Sequence, residues 1–231
     1  MRVSRAQAEE NRRNVIDVAS RLFRQHGFDG IGLKDLMEAA GMTQGAFYKQ
    51  FESKEDLIAE ASARALESAT SRWSDAAAGN PKDPLEAVIA FYLTKEHRKE
   101  KMMGCPVVAL AADAARQSPE VRAVFEAGIR EHLNVFSRLL AETDTGNKRA
   151  KAMAILSTMV GAVTLSRVVN DPRLAQAILD AAALVATQGA AVTAVLMVPL
   201  VGSVNALALF RQEFDFSVHE ARVARLVHFA P

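Results

Sequence analysis

Residues 14–57 read NVIDVASRLFRQHGFDGIGLKDLMEAAGMTQGAFYKQFESKEDL, and this stretch decides how the whole chain is interpreted. Its first apolar positions recur three and four residues apart, which places them on one face of a helix that ends near Gly27. A second helix is predicted from about Leu33 to a turn at Gly41, and a short third helix over 44–50. Three helices around a glycine turn are therefore expected.

The third predicted helix has a polar outer face that suits a nucleic acid. A hydroxyl, an amide, a phenol and an ammonium lie on it, and a glycine lets its backbone approach a groove. Phe47 and Phe51 are expected to face the core. Ser53 caps the next helix, whose first turn is expected to hold a phosphate. The candidate contacts to double-stranded DNA are Lys34, Thr43, Gln44, Gly45, Tyr48, Lys49 and Lys54.

The segment resembles the DNA-binding domain of the TetR family of transcriptional regulators. The resemblance rests on LFRQHGF at the end of the first helix, LKDLMEAAGMTQGAFY through the helix-turn-helix, and YKQFESKEDL leading into the fourth helix. One position departs from the family pattern. Where the family commonly has a Ser or Thr that caps the second helix and touches phosphate, this chain has Ile31 and Gly32, so Lys34 is expected to substitute.

Net charge gives the chain no strongly basic field. The 231 residues carry 28 Lys and Arg against 27 Asp and Glu. Non-specific DNA affinity should therefore be modest, and specific binding should depend on placed contacts and on two copies of the domain. The exception is a cluster of N-terminal arginines that could follow the DNA backbone or enter a minor groove, with a solvated tail as the alternative for the first two. These arginines are Arg2, Arg5, Arg12 and Arg13.

Cysteine, histidine and leader patterns exclude several classes of protein. The single cysteine, Cys105, excludes an intramolecular disulfide framework and fits a reducing cytoplasm, and no signal-peptide pattern is present. The histidines form no pair with metal-ligand spacing, so neither a metal nor a cofactor is expected. No nucleophile or phosphate-loop motif points to an enzyme, although a site built from Cys105 and a distant histidine stays open. A cytoplasmic protein that is not an enzyme is expected.

The rest of the chain predicts an all-α fold of about nine helices, because Gly- and Pro-containing breaks separate apolar helical segments. Three domains are expected: a helix-turn-helix domain over 1–53, a helical effector-binding and dimerisation domain over 54–190, and an unusual apolar C-terminal extension of unknown role over 191–231. The predicted helices after the first three are 54–77, 84–100, 106–117, 119–142, 147–169 and one starting near 172.

The resemblance implies that the second domain holds a small-molecule effector among its central helices. For every candidate residue, ordinary core packing is the stronger interpretation. Cys105 also carries an alternative, a thiol that senses electrophiles or oxidants at a helix start, against which stands inert burial. A DNA-binding protein without regulated release is the other alternative. The candidates for the effector site are Trp73, Phe91, Cys105, Leu110, Phe125, His132 and Phe136.

Dimerisation is indicated by the helix predicted over 147–169. Ala154, Ser157, Gly161 and Leu165 form one stripe on it, with small residues that permit close helix approach. The next helix is equally rich in Ala, and two such pairs would make a four-helix bundle between subunits. The predicted function is therefore a homodimeric repressor that binds a palindromic operator and is released by an effector.

Residues 181–210 contain no charged residue and no histidine, a run long enough for a membrane span. The first ten belong naturally to the last predicted helix, and Pro199 and Gly202 interrupt the second half. We therefore expect an apolar extension packed on the bundle or exchanged with the partner subunit, rather than a membrane anchor.

Overall fold

The computed structural model describes residues 4–140 and 147–195, with side chains as far as Thr187. All regular secondary structure among these residues is α-helix, as the sequence predicts. Residues as far as Thr193 belong to one compact unit, and the second unit, 194–231, lies almost wholly outside the described residues. The helices are α1 (Arg5–His26), α2 (Leu33–Ala39), α3 (Gln44–Phe47), α4 (Lys54–Gly79), α5 (Pro84–Tyr92), α6 (Lys95–Lys99), α7 (Pro106–Ala114), α8 (Pro119–Leu139), α9 (Lys148–Val168) and α10 (Pro172–Val195).

Local capping fixes where most of these helices begin. The Ser53 hydroxyl accepts a hydrogen bond from the Asp56 backbone N–H, and Ser118 does the same for Val121 before α8. Prolines occupy the first positions of α5, α7 and α8, where a missing N–H costs nothing. These starts agree with the breaks read from the sequence.

The single helix predicted over 84–100 is wrong, because the chain forms two helices there. Leu93 leaves the helical region with ψ of 41°, which ends α5. Thr94 then adopts an extended conformation and its hydroxyl accepts from the His97 backbone N–H, which starts α6. This break raises the number of helices among the described residues from the predicted nine to ten.

Three predicted helices end earlier than expected. The third stops as an α-helix at Phe47 and continues to residue 50 as turns, with a Gln50 N–H to Phe47 carbonyl bond of 2.8 Å. The helix predicted over 106–117 ends at Ala114, and the one predicted over 119–142 ends at Leu139. Residues 141–146, and the remainder of the predicted C-terminal extension beyond Val195, lie outside the described residues.

Helix α4 organises the core, since it packs against α1, α5, α7 and α8. Its inward face buries Leu57, Ala61, Leu66 and Trp73. Gly128 of α8 lies so close to Leu66 that an added Cβ would stand 2.6 Å from a Leu66 methyl group. This contact lets α4 and α8 approach closely, so a shift of one helix must be felt by the other.

The segment after α1 is joined directly to α7. Gly27 has φ of 79°, which disfavours a side chain, and a Cβ there would lie 2.7 Å from Asp113 Oδ2. The same carboxylate oxygen accepts a 3.2 Å hydrogen bond from the Phe28 backbone N–H. Asp113 therefore connects the N-terminal helices to the larger helical domain.

Helix α9 has the length and apolar composition of a membrane-crossing helix, which no other helix among the described residues has. The core helix of a soluble protein has the same properties. One face of α9 is buried through Ala152, Ile155, Met159 and Val163, and α9 packs on α8. Core packing therefore accounts for the apolar residues on this face of α9.

Candidate DNA-binding, effector and dimer sites

Helix α3 presents the polar face that the sequence predicts. Thr43, Gln44, Gly45 and Lys49 are exposed, and the Tyr48 side chain is 68% exposed. The Thr43 hydroxyl makes no capping hydrogen bond, although Thr43 is the N-cap residue. Open space surrounds the position that a Cβ on Gly45 would occupy. This face can therefore enter a groove without displacing protein atoms.

Two buried phenylalanines hold α3 against the protein core. Phe47 and Phe51 are buried, and their rings stack with centroids 5.3 Å apart. The Tyr48 and Phe47 rings pack edge-on with their centroids 5.2 Å apart. This contact with a buried ring supports the exposed Tyr48 side chain. The short helix thus depends on side-chain packing because it has few backbone hydrogen bonds of its own.

The start of α2 matches the departure seen in the sequence. Gly32 is its N-cap residue and supplies no side-chain hydrogen bond. Lys34 is exposed in the first turn, where an ammonium can meet a phosphate. Gly41 has φ of 71° at the turn between α2 and α3. That positive φ favours glycine and produces the sharp change of direction between the two helices.

Lys54 is partly committed to the protein itself. Its Nζ donates to the Phe28 carbonyl at 2.7 Å and to the Ile31 carbonyl at 3.0 Å. An ammonium has three donors, so one remains for a phosphate. The sequence identified Lys54 as a phosphate contact but gave no sign of this internal role, which links α4 to the loop before α2.

Three of the four N-terminal arginines lie in a helix, so these residues do not form a flexible segment. Helix α1 begins at Arg5 because the Ser4 hydroxyl caps it, and it includes Arg12 and Arg13. Arg12 forms an ion pair with Glu60 of α4, and its guanidinium lies 4.7 Å from the Phe51 ring centroid. Arg12 therefore holds α1 against α4 and against Phe51, which packs under α3. Arg2 lies outside the described residues.

Four side chains from three helices form an aromatic cluster in the larger domain, which we call the Trp73 cluster: Trp73, Tyr92, His132 and Phe136. Ring centroids lie 5.7 Å from Trp73 to Tyr92, 4.3 Å to His132 and 5.1 Å to Phe136. All four side chains are buried. Three of the predicted effector residues thus come together, and Tyr92 joins them as a residue that the sequence analysis missed.

The polar atoms of this cluster are poorly satisfied. Neither ring nitrogen of His132 has a hydrogen-bond partner of acceptable geometry, although the Leu66 carbonyl lies nearby. Burial lowers the pKa of His132 to about 4, so the ring is neutral at pH 7. The buried Tyr92 hydroxyl is also without a partner, and burial raises its pKa well above the usual value. Buried polar groups left unpaired are costly and are typical of functional sites.

The other predicted effector residues are not part of this cluster, although Cys105 lies next to Tyr92. Phe91 is 40% exposed, whereas Leu110 is buried. Phe125 meets Phe28, the residue after the α1 turn, with ring centroids 6.5 Å apart. Cys105 is 2% exposed, and its backbone N–H donates to His97 Nε2 at 3.2 Å. Only part of the predicted set therefore surrounds one place.

An apolar groove of about 530 Å³ lies between α4 and α8. None of the predicted effector residues lines it. Its walls are Ala63, Leu66, Glu67, Thr70, Ser71, Ser74, Val124, Ala127, Gly128 and Glu131.

The stripe predicted for dimerisation is on the outer face of α9. Ala154 and Ser157 are exposed, Gly161 is half-buried with open space at its Cβ position, and Leu165 is 59% exposed. Helix α10 adds further exposed apolar side chains. Together these form what we call the α9–α10 face, whose large exposed apolar residues are Met153, Leu165, Val168, Leu174, Leu184 and Val185.

Comparison with known families gives this arrangement a name. A model of bacterial regulatory proteins of the tetR family matches residues 15–61, the segment that contains α2 and α3. A model of the C-terminal domain of LmrA/YxaF-like transcriptional regulators matches residues 81–195. The chain belongs to the TetR family. It is therefore a transcriptional regulator with a DNA-binding helix-turn-helix, and members of this family are regulators rather than enzymes.

Several TetR-family proteins resemble this one. The regulator LmrA of Bacillus subtilis is 27% identical over 162 residues, which cover 68% of this chain and 86% of LmrA. The repressor NemR of Escherichia coli is 26% identical over 134 residues, which cover 57% of this chain and 67% of NemR. A TetR regulator from Chloroflexus aurantiacus superposes with a TM-score of 0.67 at 26% identity, covering 79% of this chain and 97% of that one. The fold is thus shared over most of the described residues.

Proposed function

We propose that this TetR-family regulator is a homodimeric repressor that leaves a palindromic operator when a small-molecule effector binds. The observation that carries the DNA-binding part is the exposed polar face of α3, fixed from below by two stacked phenylalanines. The contacts we assign to DNA are Lys34, Thr43, Gln44, Gly45, Tyr48, Lys49 and the free donor of Lys54.

The α9–α10 face supports the dimer. Large leucine, methionine and valine side chains are exposed on both helices, and exposed apolar areas often mark protein interfaces. Small residues at Ala154, Ser157 and Gly161 permit close approach of a second copy. A two-fold dimer then presents two copies of α3, which must lie about 34–36 Å apart to occupy successive major grooves.

The contacts between α1 and α4 support coupling of effector to DNA. Arg12 pairs with Glu60, and Arg64 of α4 pairs with Asp17 of α1 at 2.8 Å. Lys54 binds the loop before α2. Because these contacts join α1–α3 to α4, an effector that moves α4 also changes the distance between the two copies of α3 in the dimer.

The Trp73 cluster is the part of the larger domain that we assign to the effector, because its buried polar atoms have no partners. The name of NemR includes repressor, which agrees with the sign of regulation proposed here. Regulation through Cys105 is less well supported, since a thiol that is 2% exposed is shielded from reagents in this conformation. We place the protein in the cytoplasm, where its operator would be.

The DNA-binding part is tested by substitution on α3. Binding sites are first selected from a random duplex library, and affinity is then measured by fluorescence anisotropy. Tyr48→Ala should weaken binding to all sequences alike, as loss of a backbone contact does. Gln44→Ala should relax the preference at one position of each half-site, with a loss of about 1–3 kcal/mol on the preferred base. Gln25→Ala, an exposed glutamine near the end of α1, is the matched control. Unchanged operator affinity in both α3 variants would refute the assignment.

A further inference from the structure

Three arginines from three different helices converge on the start of α7. Arg24 of α1 is almost fully buried, and Arg72 of α4 and Arg167 of α9 are half-buried. None of them takes part in a salt bridge among the described residues, whereas the exposed Arg5 and Arg130 do. We call Arg24, Arg72 and Arg167 the arginine cluster.

Backbone carbonyls fix two members of the cluster on either side of Gly104. Arg24 Nη1 donates to the Gly104 carbonyl at 3.1 Å, and its Nε donates to the Ser20 carbonyl at 2.9 Å. Arg167 donates to the carbonyls of His97, Arg98 and Glu100, and its Nη2 stands 3.0 Å from where a Gly104 Cβ would be. Carbonyl dipoles orient both guanidiniums but leave their full charges uncompensated.

Arg72 is the member without a hydrogen bond. Its Nε is buried and has no partner in the described part of the chain. The Tyr92 hydroxyl is buried next to the Cys105 thiol, a weak hydrogen-bonding group, and the three arginines are close enough to Cys105 to interact with it electrostatically. Two buried donors from separate helices therefore lie near one positively charged region, and neither has a strong acceptor among the described residues.

The charges of the cluster act against one another. Burial, together with the charge of the nearby Arg72, lowers the pKa of Arg24 to about 10. Burial also lowers the pKa values of Arg72 and Arg167. Glu100 is the nearby carboxylate, but it is exposed and its Oε1 accepts from the Met103 backbone N–H. Like charges held together in a buried place raise the affinity for an anion.

A cleft leads from solvent to Arg24. It has a volume of about 180 Å³ and lies between α1 and α4, beneath Met103 of the loop before α7. Its other lining residues are Ser20, Arg21, Arg24, Ser68 and the ion-paired Asp17 and Arg64, and Arg72 follows Ser68 by one turn of α4. A small polar group can therefore reach Arg24, the member of the cluster that lines this cleft.

We propose that the arginine cluster binds the carboxylate or phosphate group of a small-molecule effector, with Arg72 Nε and Tyr92 Oη among its donors. Guanidinium groups match planar oxyanions with paired hydrogen bonds, and a buried pair of this kind is strong. The Trp73 cluster continues from Tyr92, so it would receive the aromatic or apolar body of the same molecule. Anion binding itself does not depend on the proposed function. Its effect on DNA does, because that effect would pass from Arg24 through α1 to the DNA-binding helices.

The binding test uses the full chain, with sodium benzoate and sodium phosphate as separate probes against sodium chloride at matched ionic strength. Thermal unfolding of the wild type should show a saturable rise in Tm of roughly 4–8 °C with at least one probe. A rise with benzoate alone identifies a carboxylate site, and a rise with phosphate alone identifies a phosphate site. No rise beyond that in chloride overturns the proposal.

Variants separate a binding role from a structural one. Arg72→Met should unfold at the same temperature as the wild type or higher without an anion, because a buried unpartnered charge is gone, and it should lose the anion response. Arg130→Met removes an exposed arginine of α8 that pairs with Glu126, and it should keep the response. Equal loss in both variants would mean general screening and would contradict the site.

A second variant tests the same site with a smaller change that is less able to disturb folding. Tyr92→Phe removes only the unpartnered hydroxyl, and it should raise the Kd for the active probe roughly 2–10-fold, measured by calorimetric titration. An unchanged Kd excludes Tyr92 as a donor and counts against the site as described. Operator binding is measured separately, so an anion that binds without releasing DNA would contradict regulated release while the anion site remains supported.

Discussion

Protonation of His132 should destabilise the folded protein below neutral pH. The ring is buried against Trp73, and burial lowers the pKa of His132 from 6.5 to about 4. Because the folded-state pKa is the lower one, the unfolded chain takes up the proton first. Stability is therefore fully present above about pH 7 and falls as the pH drops from about 6.5 towards 4.

The size of this effect follows from the two pKa values. Their difference corresponds to about 3 kcal/mol lost between pH 7 and pH 4, of which about 2 kcal/mol is already lost at pH 5. His97 contributes with the same sign, since burial lowers its pKa as well. A comparison of wild type with a variant that lacks only the His132 imidazole removes the shared contributions.

His132→Phe keeps an aromatic ring beside Trp73 and removes the titrating group. Urea unfolding is measured at fixed protein concentration between pH 7 and pH 5, because dimerisation would make stability depend on concentration. The wild type should lose about 2 kcal/mol more than the variant over this range. The control His26→Phe changes an exposed histidine at the end of α1 and should keep the wild-type slope. Equal losses in wild type and His132→Phe would refute the reasoning.

Two further substitutions test the internal role of Lys54 and the dimer. Lys54→Met removes two hydrogen bonds to backbone carbonyls and should destabilise the fold by about 1–3 kcal/mol in urea unfolding, whereas Lys82→Met, at an exposed lysine, should change little. Leu165→Asp places a charge on the α9–α10 face and should convert dimer to folded monomer in analytical ultracentrifugation. Met102→Asp, at an exposed methionine outside that face, should stay dimeric, and a dimeric Leu165→Asp variant would contradict the interface.

Unsatisfied polar atoms set the larger domain apart from an ordinary helical core. His132, Tyr92 and Arg72 together leave four buried nitrogen and oxygen atoms without partners, and each such atom costs about 1–3 kcal/mol. A domain selected for stability alone would replace them with apolar side chains. Their presence is the main physical reason for assigning the effector site to this region.

The sequence by itself determined what depends on neighbours along the chain. The helix start at Ser53, the prolines that begin α7 and α8, the glycine turn at Gly41 and the outward face of α3 all follow from local capping and periodicity. The same local rules were insufficient at Thr94, where one hydroxyl starts a new helix inside a segment, 85–99, that contains no glycine or proline.

Tertiary structure decided everything that joins distant residues. Lys54 meets carbonyls 23 and 26 residues away, and Arg24 meets Gly104 across 80 residues, so no spacing in the sequence could show either contact. The burial of Arg72 and Tyr92 was equally hidden, since an arginine or tyrosine on a helix is usually solvated. Local patterns set the helices because backbone hydrogen bonds span four residues, whereas the sites arise where packing brings separate helices together and removes water from their charges.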